Sequence, residues 1–408
     1  MAATTAEVRL HGRRVGFLRF NKGRSEFVYE DDLDAPSHQT LGQIFEDDPR
    51  AVRRAFTGVP AWFANLLPEG ALRKQIIREM GGGNIGDFTL LLRLGDYLPG
   101  AVSVHAESEP VEDVGPDPRA ETPEHPLRHS LAGVQLKFSV SSDRLTSPAS
   151  GNGGWWIVKL PDRTFRNLPA NEYLTMRWLA ATGFEVPTVD LVPATEVKGV
   201  AEGLADPDEP LYVIERFDRT PAGRLHVEDF AQVADVAPLF KYGEPGQSYD
   251  GLAAVVAQLC GIDGYIDFIR RLAAMIVVGN TDAHLKNWAL CYPDGRTPQL
   301  SPVYDFHSLT IYSQYRYQPL SLSINGQKAP NGITLDDFRR LADRIGQDAE
   351  ATARAVGGTV ERMRAAWVGE LLDEARGRFE PLAGHYAERL RSLPISARST
   401  SDEAPQAH

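Results

Sequence analysis

Hydrophobic and polar residues alternate along the first thirty residues of the chain, on both sides of His11-Gly12. The alternation resumes over Ser25–Tyr29, after the turn-forming residues Asn21-Lys22-Gly23. A period of two residues is typical of strands, and glycine in the connections favours tight turns. The sequence therefore predicts a small antiparallel meander whose apolar positions include Val8, Leu10, Val15, Phe17 and Phe20.

Helical spacing of apolar residues follows over Ala61–Met80, and this segment ends at Gly81-Gly82-Gly83, a C-cap signal. Phe88–Leu94 predicts a second helix, and Ala101–His105 predicts a strand. From His129 strands dominate, and the predicted ones are Leu136–Val140, Trp155–Leu160, Val189–Val192 and Leu211–Phe217, with one helix over Asn171–Thr182.

After about residue 225 the spacing is mainly helical. Thr334 and Asp337 form a capping box before one of the predicted helices. These helices are Tyr249–Cys260, Tyr265–Val278, Leu335–Ile345, Ala351–Phe379 and Gly384–Leu393. Strands followed by helices indicate an α+β fold with two lobes: a strand-rich N-terminal lobe, which begins with the meander, and an all-helical C-terminal lobe.

Two segments are too polar to form a core. Residues 106–124 hold seven acidic residues and four prolines, and 396–408 are rich in serine and polar residues. We therefore predict five parts: an N-terminal subdomain (1–105), an acidic linker (106–128), the later, strand-rich part of the N-terminal lobe (129–224), a helical lobe (225–393) and a disordered tail (394–408).

Composition narrows the functional classes. The formal net charge of −12 opposes non-specific binding to nucleic acid or to an anionic membrane, although a local basic groove remains compatible with it. The two cysteines, Cys260 and Cys291, lack a paired spacing, which argues against a disulfide framework or a zinc site. Because the N-terminus lacks a signal-like apolar region and apolar runs are short, we expect a soluble cytoplasmic protein.

The candidate chemistry lies in Gly279–Asn287, where Asp282 precedes Asn287 by five residues, and in Asp305 further along. Phosphoryl transfer from ATP needs a base and hard oxygen ligands for Mg²⁺ in this order. A polar loop after a helix end at Gly279 would explain a lone pattern of this kind. Here the loop follows a buried apolar helix and leads into a strand, Trp288–Tyr292, and then into a predicted second strand carrying Asp305. We therefore favour a kinase, with nucleotide binding by residues 129–224 and a catalytic lobe over 225–393.

Two further features fit a nucleotide site, each with a simpler alternative. Lys159 ends an apolar strand, where it can hold phosphates or extend to solvent. Glu172 can pair with it, or can be favoured near a helix start by the dipole. The small residues of Ser130–Lys137 let backbone N–H groups approach phosphates, although a plain hairpin turn has the same composition.

Gly81, Gly83 and Gly86 match the spacing of a dinucleotide-binding motif. Because they follow a helix and not a strand, we reject them as a dinucleotide site.

Taken in chain order, these motifs resemble the HipA family of bacterial toxin kinases, from about Val8 to Leu393. Besides the meander, the matching stretches are Leu66–Gly70, Ser130–Lys137 as the family's S-x-A-G-x-Q-x-K loop, Ile157–Pro161, Asn171–Tyr173, Glu215–Arg219, Thr281–Asn287 and Tyr304-Asp305. The resemblance implies a protein serine/threonine kinase with a two-lobed, protein-kinase-like fold. As in the family, the usual H-R-D and complete D-F-G motifs of protein kinases are absent.

By this resemblance Asp282 is the catalytic base, Asn287 and Asp305 hold Mg²⁺, and Ser130 is autophosphorylated. Phosphate on Ser130 would expel the loop beside ATP, as repulsion between like charges predicts. The metal ligands also belong to the ATP site. The remaining ATP-binding residues that we expect are Ala132, Gly133, Val134, Gln135, Leu136 and Lys137 over the phosphates, Lys159 on the phosphates, Glu215, Arg216 and Phe217 at the adenine hinge, and His284, Lys286 and Tyr304. His284 can equally be a hydrogen-bonded loop histidine.

The resemblance also implies partners. Family members pair with a small helix-turn-helix antitoxin that binds operator DNA, so this chain would meet nucleic acid only through that partner. Characterised members phosphorylate aminoacyl-tRNA synthetases. Two alternatives stay open: a small-molecule kinase of the aminoglycoside or choline type, whose D-x-H-x-x-N pattern Asp282–Asn287 also fits, and a non-catalytic co-repressor pseudokinase.

Overall fold

The computed structural model describes residues 4–107 except 31, 33–34 and 36, and residues 137–140, 155–197, 205–206, 209–244 and 246–396. The chain divides into two units. The first unit consists of Met1–Pro169, Pro187–Glu244 and His284–Pro302, and the second of Ala170–Val186, Pro245–Ala283 and Val303–His408. Most of the acidic linker and nearly all of the predicted tail lie outside the described residues, and the predicted domain boundaries stay predictions.

The first unit begins with the predicted meander. Strands β1 (Thr4–Leu10), β2 (Arg13–Asn21), β3 (Arg24–Tyr29), β4 (Arg53–Ala55) and β5 (Val102–Ala106) form one antiparallel sheet in the order β4-β3-β2-β1-β5. The turn residues His11 and Gly12 have φ values of 48° and 77°, the left-handed conformation that two-residue hairpins need. Alternate residues of β1 are buried, so the periodicity predicted this sheet correctly.

Four helices cover this sheet: α1 (Gln43–Asp47), α2 (Ala61–Ala64), α3 (Gly70–Glu79) and α4 (Asp87–Leu94). The predicted single helix over Ala61–Met80 is wrong, because the segment forms two helices, α2 and α3, with a non-helical connection between them. Pro68 cannot donate a backbone hydrogen bond, and Gly70 has φ +55°, a value outside the helical region. The predicted helix over Phe88–Leu94 is confirmed by α4.

A second antiparallel sheet follows in the first unit. Its strands are β6 (Lys137–Val140), β7 (Trp156–Lys159), β8 (Val189–Pro193) and β9 (Pro210–Glu215), in the order β6-β7-β9-β8. All four were predicted within two residues. The chain continues through the hairpin β10 (Arg219–Thr220) and β11 (Gly223–Arg224), then β12 (Val227–Asp229) and the short helix α6 (Phe230–Val233). After α6, the hairpin β13 (Ala289–Cys291) and β14 (Gln299–Leu300) pairs with β12.

The second unit is helical: α5 (Leu168–Ala181, from Ala170 onward), α7 (Tyr249–Val278), α8 (Leu335–Arg344), α9 (Ala349–Ala366) and α10 (Gly369–Ser392). The two predicted helices over Tyr249–Val278 are joined through Gly261, which has φ +68°. The capping box of Thr334 and Asp337 is confirmed. By length and composition α7 could cross a membrane, but its last seven residues are buried among the other helices of this unit.

The predicted helices after Ala351 needed correction. One helix was predicted to run through Phe379, but α9 ends at Ala366 and α10 begins at Gly369, which has φ +56°. The second predicted helix, from Gly384, is the later part of α10. Pro381 lies inside α10, and the backbone at Phe379 is non-helical, because a proline removes an N–H group and clashes with the preceding turn.

Candidate active site

The helix α7 ends directly before the candidate catalytic loop. Its last residues, Leu272–Val278, are fully buried, and Gly279 caps them with φ +76°. The N–H groups of Gly279 and Asn280 both donate to the Met275 carbonyl oxygen, at 3.0 and 3.1 Å. The predicted helix end at Gly279 is confirmed, and the chain enters the loop in a direction that these bonds fix.

The backbone is bonded on both sides of Asp282, which is buried. The Asp282 N–H donates to the side-chain oxygen of Asn280 (3.3 Å). The carbonyl oxygen of Thr281, directly before Asp282, accepts from the N–H and the hydroxyl of Ser321 (3.1 and 3.0 Å). The carbonyl oxygen of Ala283, directly after Asp282, accepts from the Tyr249 hydroxyl (2.7 Å). Burial raises the pKa of the Tyr249 phenol far above its usual value, so the hydroxyl keeps its proton and stays a donor.

Asp305 lies in a loop, so its predicted place on a second strand is wrong. The predicted hairpin exists, but β14 ends at Leu300, and Asp305 has φ +60°. This left-handed conformation is incompatible with a strand, and Asp tolerates it better than most residues. The side-chain amide of Asn280 donates to the Asp305 carbonyl oxygen (3.4 Å). One asparagine side chain therefore bonds to the backbone of both Asp282 and Asp305 within the second unit.

Helix α5 holds the chain just after Asp305. The Asn171 side chain donates to the Ser308 carbonyl oxygen (2.8 Å) and accepts from the Ser308 N–H (2.9 Å). Both residues are fully buried. Glu172 lies in the second turn of α5, because the helix begins at Leu168 and not at Asn171. The attraction of a helix N-terminus for acidic residues is confined to the first turn and does not explain this glutamate.

Glu172, Asp305 and His307 form a group of metal-ligating side chains. One potential ligand atom from each residue lies within 4.8 Å of the others. Glu172 and His307 are buried, and Asp305 is half-buried. Two carboxylates at this spacing supply the hard oxygen atoms that Mg²⁺ prefers, so the donor set fits the predicted metal. Tyr304, directly before Asp305, is half-buried.

Lys159 lies at the end of a central strand of the second sheet. It is buried, pairs in register with Lys137 of β6 and with Tyr212 of β9, and its ammonium lies 5.6 Å from the centre of the Tyr212 ring. Because solvent screens this buried charge less than an exposed one, it would attract a phosphate strongly. Ser130 and Ala132–Leu136 of the predicted phosphate loop lie outside the described residues.

The predicted hinge begins at Glu215, the last residue of β9, and is held by polar contacts. The Glu215 N–H donates to the Thr188 carbonyl oxygen (2.8 Å), and the Thr188 hydroxyl donates to the Glu215 carboxylate (2.7 Å). Arg216 donates two bonds to Asp218 (2.9 and 2.8 Å), which also accepts from Arg219 (2.9 Å). Burial raises the pKa of Asp218, but the guanidinium groups outweigh it and the pKa is lowered. The three hinge residues, Glu215, Arg216 and Phe217, are half-buried.

Asn287 ends a single 3-10 turn, Leu285–Asn287, in the first unit. Its N–H donates to the His284 carbonyl oxygen (2.9 Å), and the His284 ring packs edge-on against Tyr242 at 5.2 Å. The side chains of His284 and Asn287 are buried. The Lys286 ammonium donates to the backbone carbonyl of Asn65 (2.7 Å). Binding of ATP or Mg²⁺ by these residues stays a prediction.

Sequence reasoning missed the residues that hold this site in place. Asn171 and Asn280 were part of quoted motifs, but they received no role, and His307 was not considered as a ligand. Their positions beside Glu172, Asp282 and Asp305 were the available signal. Sequence spacing does not reveal that Asn280 reaches Asp305, because that bond depends on how the loop returns.

Comparison with known proteins identifies the family. Two family models match the chain: the HipA N-terminal domain over residues 6–105 and the HipA-like C-terminal domain over residues 129–367. The chain is 36% identical to Y4dM of Sinorhizobium fredii, whose name describes a candidate kinase, over 95% of each protein. It is 24% identical to the serine/threonine-protein kinase toxin HipA of Shewanella oneidensis, over 71% of each.

A solved structure also resembles the chain. The HipA, HipB and operator DNA complex of Shewanella oneidensis contains a chain that matches with a TM-score of 0.68 at 21% sequence identity, over 95% of this chain and 97% of that one. This similarity confirms the predicted α+β, two-lobed, protein-kinase-like fold class.

Proposed function

Because the chain belongs to the HipA family, we propose that it is an ATP-dependent protein serine/threonine kinase and the toxin of a toxin–antitoxin module. The observation that supports this most directly is the pair of bonds from Asn280, which hold the backbones of Asp282 and Asp305 in one network. A loop whose asparagine served only in a turn would not need to reach a second acidic residue 25 positions away.

In this proposal Asp282 accepts the proton of the attacking serine or threonine hydroxyl while the γ-phosphoryl group moves from ATP to that oxygen. A base positioned in this way contributes roughly 10²–10⁴-fold to the rate. The fixed backbone around Asp282 supports the role, because a base must be held within hydrogen-bond reach of its proton. ADP leaves with the electron pair of the broken bond.

Asp305 and Asn287 would hold Mg²⁺, and Glu172 and His307 lie close enough to Asp305 to join or orient this site. When bound, the metal would neutralise charge that develops on the phosphates. The buried ammonium of Lys159 would hold the phosphates, and Glu215–Phe217 would contact the adenine. Ala132–Lys137 would cover the phosphates, with His284, Lys286 and Tyr304 completing the ATP site.

The regulatory and cellular parts are also proposals. Ser130 would be the autophosphorylation site, and a small HipB-like helix-turn-helix antitoxin would be the partner through which the complex contacts DNA. The protein substrate could be an aminoacyl-tRNA synthetase, and the site of action would be the cytoplasm. The formal net charge of −12 supports an indirect role in DNA binding.

Transfer of labelled phosphate from ATP tests the proposal against its alternatives. Purified wild-type protein and the Asp282→Asn variant are incubated with Mg-ATP and either a cell lysate or a panel of aminoglycosides and choline. We expect labelled protein with the wild type and a loss of at least about 100-fold in Asp282→Asn. Labelled small molecules without labelled protein would favour the small-molecule kinase, and equal labelling by both proteins would refute the role of Asp282.

A further inference from the structure

The motif Leu66–Gly70 received no role from kinase chemistry. It lies in the N-terminal domain (residues 6–105), and its Glu69 is the N-cap residue of α3. A residue at this position commonly bonds to the free N–H groups of its own helix. The Glu69 side chain makes no such bond. Pro68 before it has a fixed φ, and Gly70 after it has φ +55°, a value that glycine adopts readily, so the chain enters α3 through an irregular turn.

The Glu69 carboxylate instead contacts two lysines: Lys286, which belongs to the candidate catalytic loop, and Lys241, which follows α6 in the chain. One oxygen lies 2.7 Å from the Lys241 ammonium, and the other lies 3.4 Å from the Lys286 ammonium. Burial raises the pKa of Glu69, but the charges of Lys286 and Lys241 outweigh this effect, so its pKa is lowered. The carboxylate therefore stays ionised between both ammonium groups at neutral pH.

Further partners hold the Lys286 ammonium. It donates to the backbone oxygen of Asn65 (2.7 Å) and to the side-chain oxygen of the same residue (3.2 Å), and lies 3.4 Å from the Asp229 carboxylate. The Lys286 side chain is 16% exposed and that of Asp229 is 14% exposed, so solvent screens these charges less than those of a surface pair. Two of the three contacted residues, Asn65 and Glu69, belong to the N-terminal domain.

A backbone bond completes the connection. The N–H of Leu285, the first residue of the 3-10 turn that ends at Asn287, donates to the Lys241 carbonyl oxygen (3.0 Å). Glu69 therefore reaches this turn by two routes: through the side chain of Lys286 inside the turn, and through Lys241, whose backbone holds the start of the turn. Both routes lie within the first unit.

We propose that Glu69 is a positioning residue for phosphoryl transfer, through which the N-terminal domain fixes the turn that carries Asn287. The inference rests on the proposed kinase function, in which Asn287 is a metal ligand. It assigns the N-terminal domain a part in catalysis, because a metal ligand displaced by about 1 Å costs much of the rate.

The test compares Glu69→Gln and Lys241→Met, alone and combined, with two controls from the N-terminal domain. Glu30→Gln makes the same chemical change at an exposed carboxylate, and Val104→Ala lowers stability from the domain core. The readouts are amide hydrogen exchange of residues 284–288, thermal stability, kcat, KM for ATP and the Mg²⁺ concentration that gives half the maximal rate.

We expect Glu69→Gln to speed exchange at Leu285 and Asn287, to lower kcat roughly 10- to 100-fold and to raise the Mg²⁺ requirement. The double variant should be little worse than the more severe single variant, because both act through one network. Glu30→Gln should behave as the wild type, and Val104→Ala should lose stability without a matching loss of kcat.

Wild-type exchange and kcat in Glu69→Gln would overturn the inference. An equal loss of kcat in Val104→Ala at matched stability would also overturn it, because the effect would then follow from general destabilisation. If the wild type transfers no phosphate, the kinase proposal fails and with it the catalytic role of Glu69. The exchange data would still decide whether Glu69 anchors the turn, so the two failures are distinguishable.

Discussion

Replacement of Gly279 by alanine should be more damaging than the same change at another helix end. Gly279 has φ +76°, and a Cβ atom there would lie 2.0 Å from the Thr310 hydroxyl oxygen and 3.1 Å from the guanidinium carbon of Arg389. Gly346, directly after the C-cap residue of α8, has nearly the same φ, +72°, but a Cβ atom there would meet no heavy atom within 4 Å among the described residues.

The two variants share the backbone cost and differ in the overlap. Alanine in the left-handed conformation costs about 1–2 kcal/mol at either site. At Gly279 the overlap with a packed interior adds about 1–3 kcal/mol. We therefore expect Gly279→Ala to lower the free energy of unfolding by about 2–5 kcal/mol and Gly346→Ala by only about 1–2 kcal/mol.

Urea unfolding of both variants, and of Thr310→Ala alone and with Gly279→Ala, gives these energies and their coupling. Removal of the Thr310 hydroxyl should recover part of the extra loss, as a favourable coupling of about 1 kcal/mol or more. Gly279→Ala should also slow phosphate transfer, since Asp282 follows three residues later, whereas Gly346→Ala should not. Equal losses at the two glycines, or an absence of coupling to Thr310, would refute the steric explanation.

Three further changes test buried polar groups. Asn171→Ala leaves both buried backbone groups of Ser308 without this partner, so calorimetry should show a loss of about 2–5 kcal/mol; a loss below about 1 kcal/mol would contradict this. Arg389→Met removes two donors from the last carbonyl groups of α7 and should cost about 2–4 kcal/mol; an unchanged Tm would exclude this capping role. Burial raises the pKa of Glu228 to about 7, so the protonated side chain stabilises the fold fully below about pH 4.5. This contribution, about 3 kcal/mol in total, is lost as the pH rises through 7. Glu228→Gln should flatten the resulting decline in Tm, and an unchanged pH profile in this variant would argue against the role of Glu228.

Local periodicity was sufficient to predict most strands and helices. β1–β3, α4 and α7 follow from alternating or helical apolar spacing, because each element buries one regular face or stripe. Predictions from periodicity failed where the backbone conformation of single residues overrides the apolar pattern. Pro68 and Gly70 divide a segment with continuous helical spacing, and Pro381 interrupts α10 without ending it.

The candidate residues of the site could be chosen from the sequence, but the contacts that support them could not. Asp282 and Asp305 are recognisable because phosphoryl transfer needs carboxylates in this order. The loop position of Asp305 and the bonds from Asn171 and Asn280 depend on contacts between distant segments, which a single sequence does not encode in any regular spacing. Glu69 illustrates the same limit, since its partners lie more than 170 residues away.

Intact-mass spectrometry of the purified protein after incubation with Mg-ATP tests the central claim most directly. Wild type, Asp282→Asn and Asp336→Asn are compared; the last makes the same change at an exposed aspartate. We predict one added phosphate, mapped to Ser130, in the wild type and in Asp336→Asn, and none in Asp282→Asn. An added phosphate in Asp282→Asn, or none in the wild type although ATP binds, would contradict a kinase that uses Asp282 as its base.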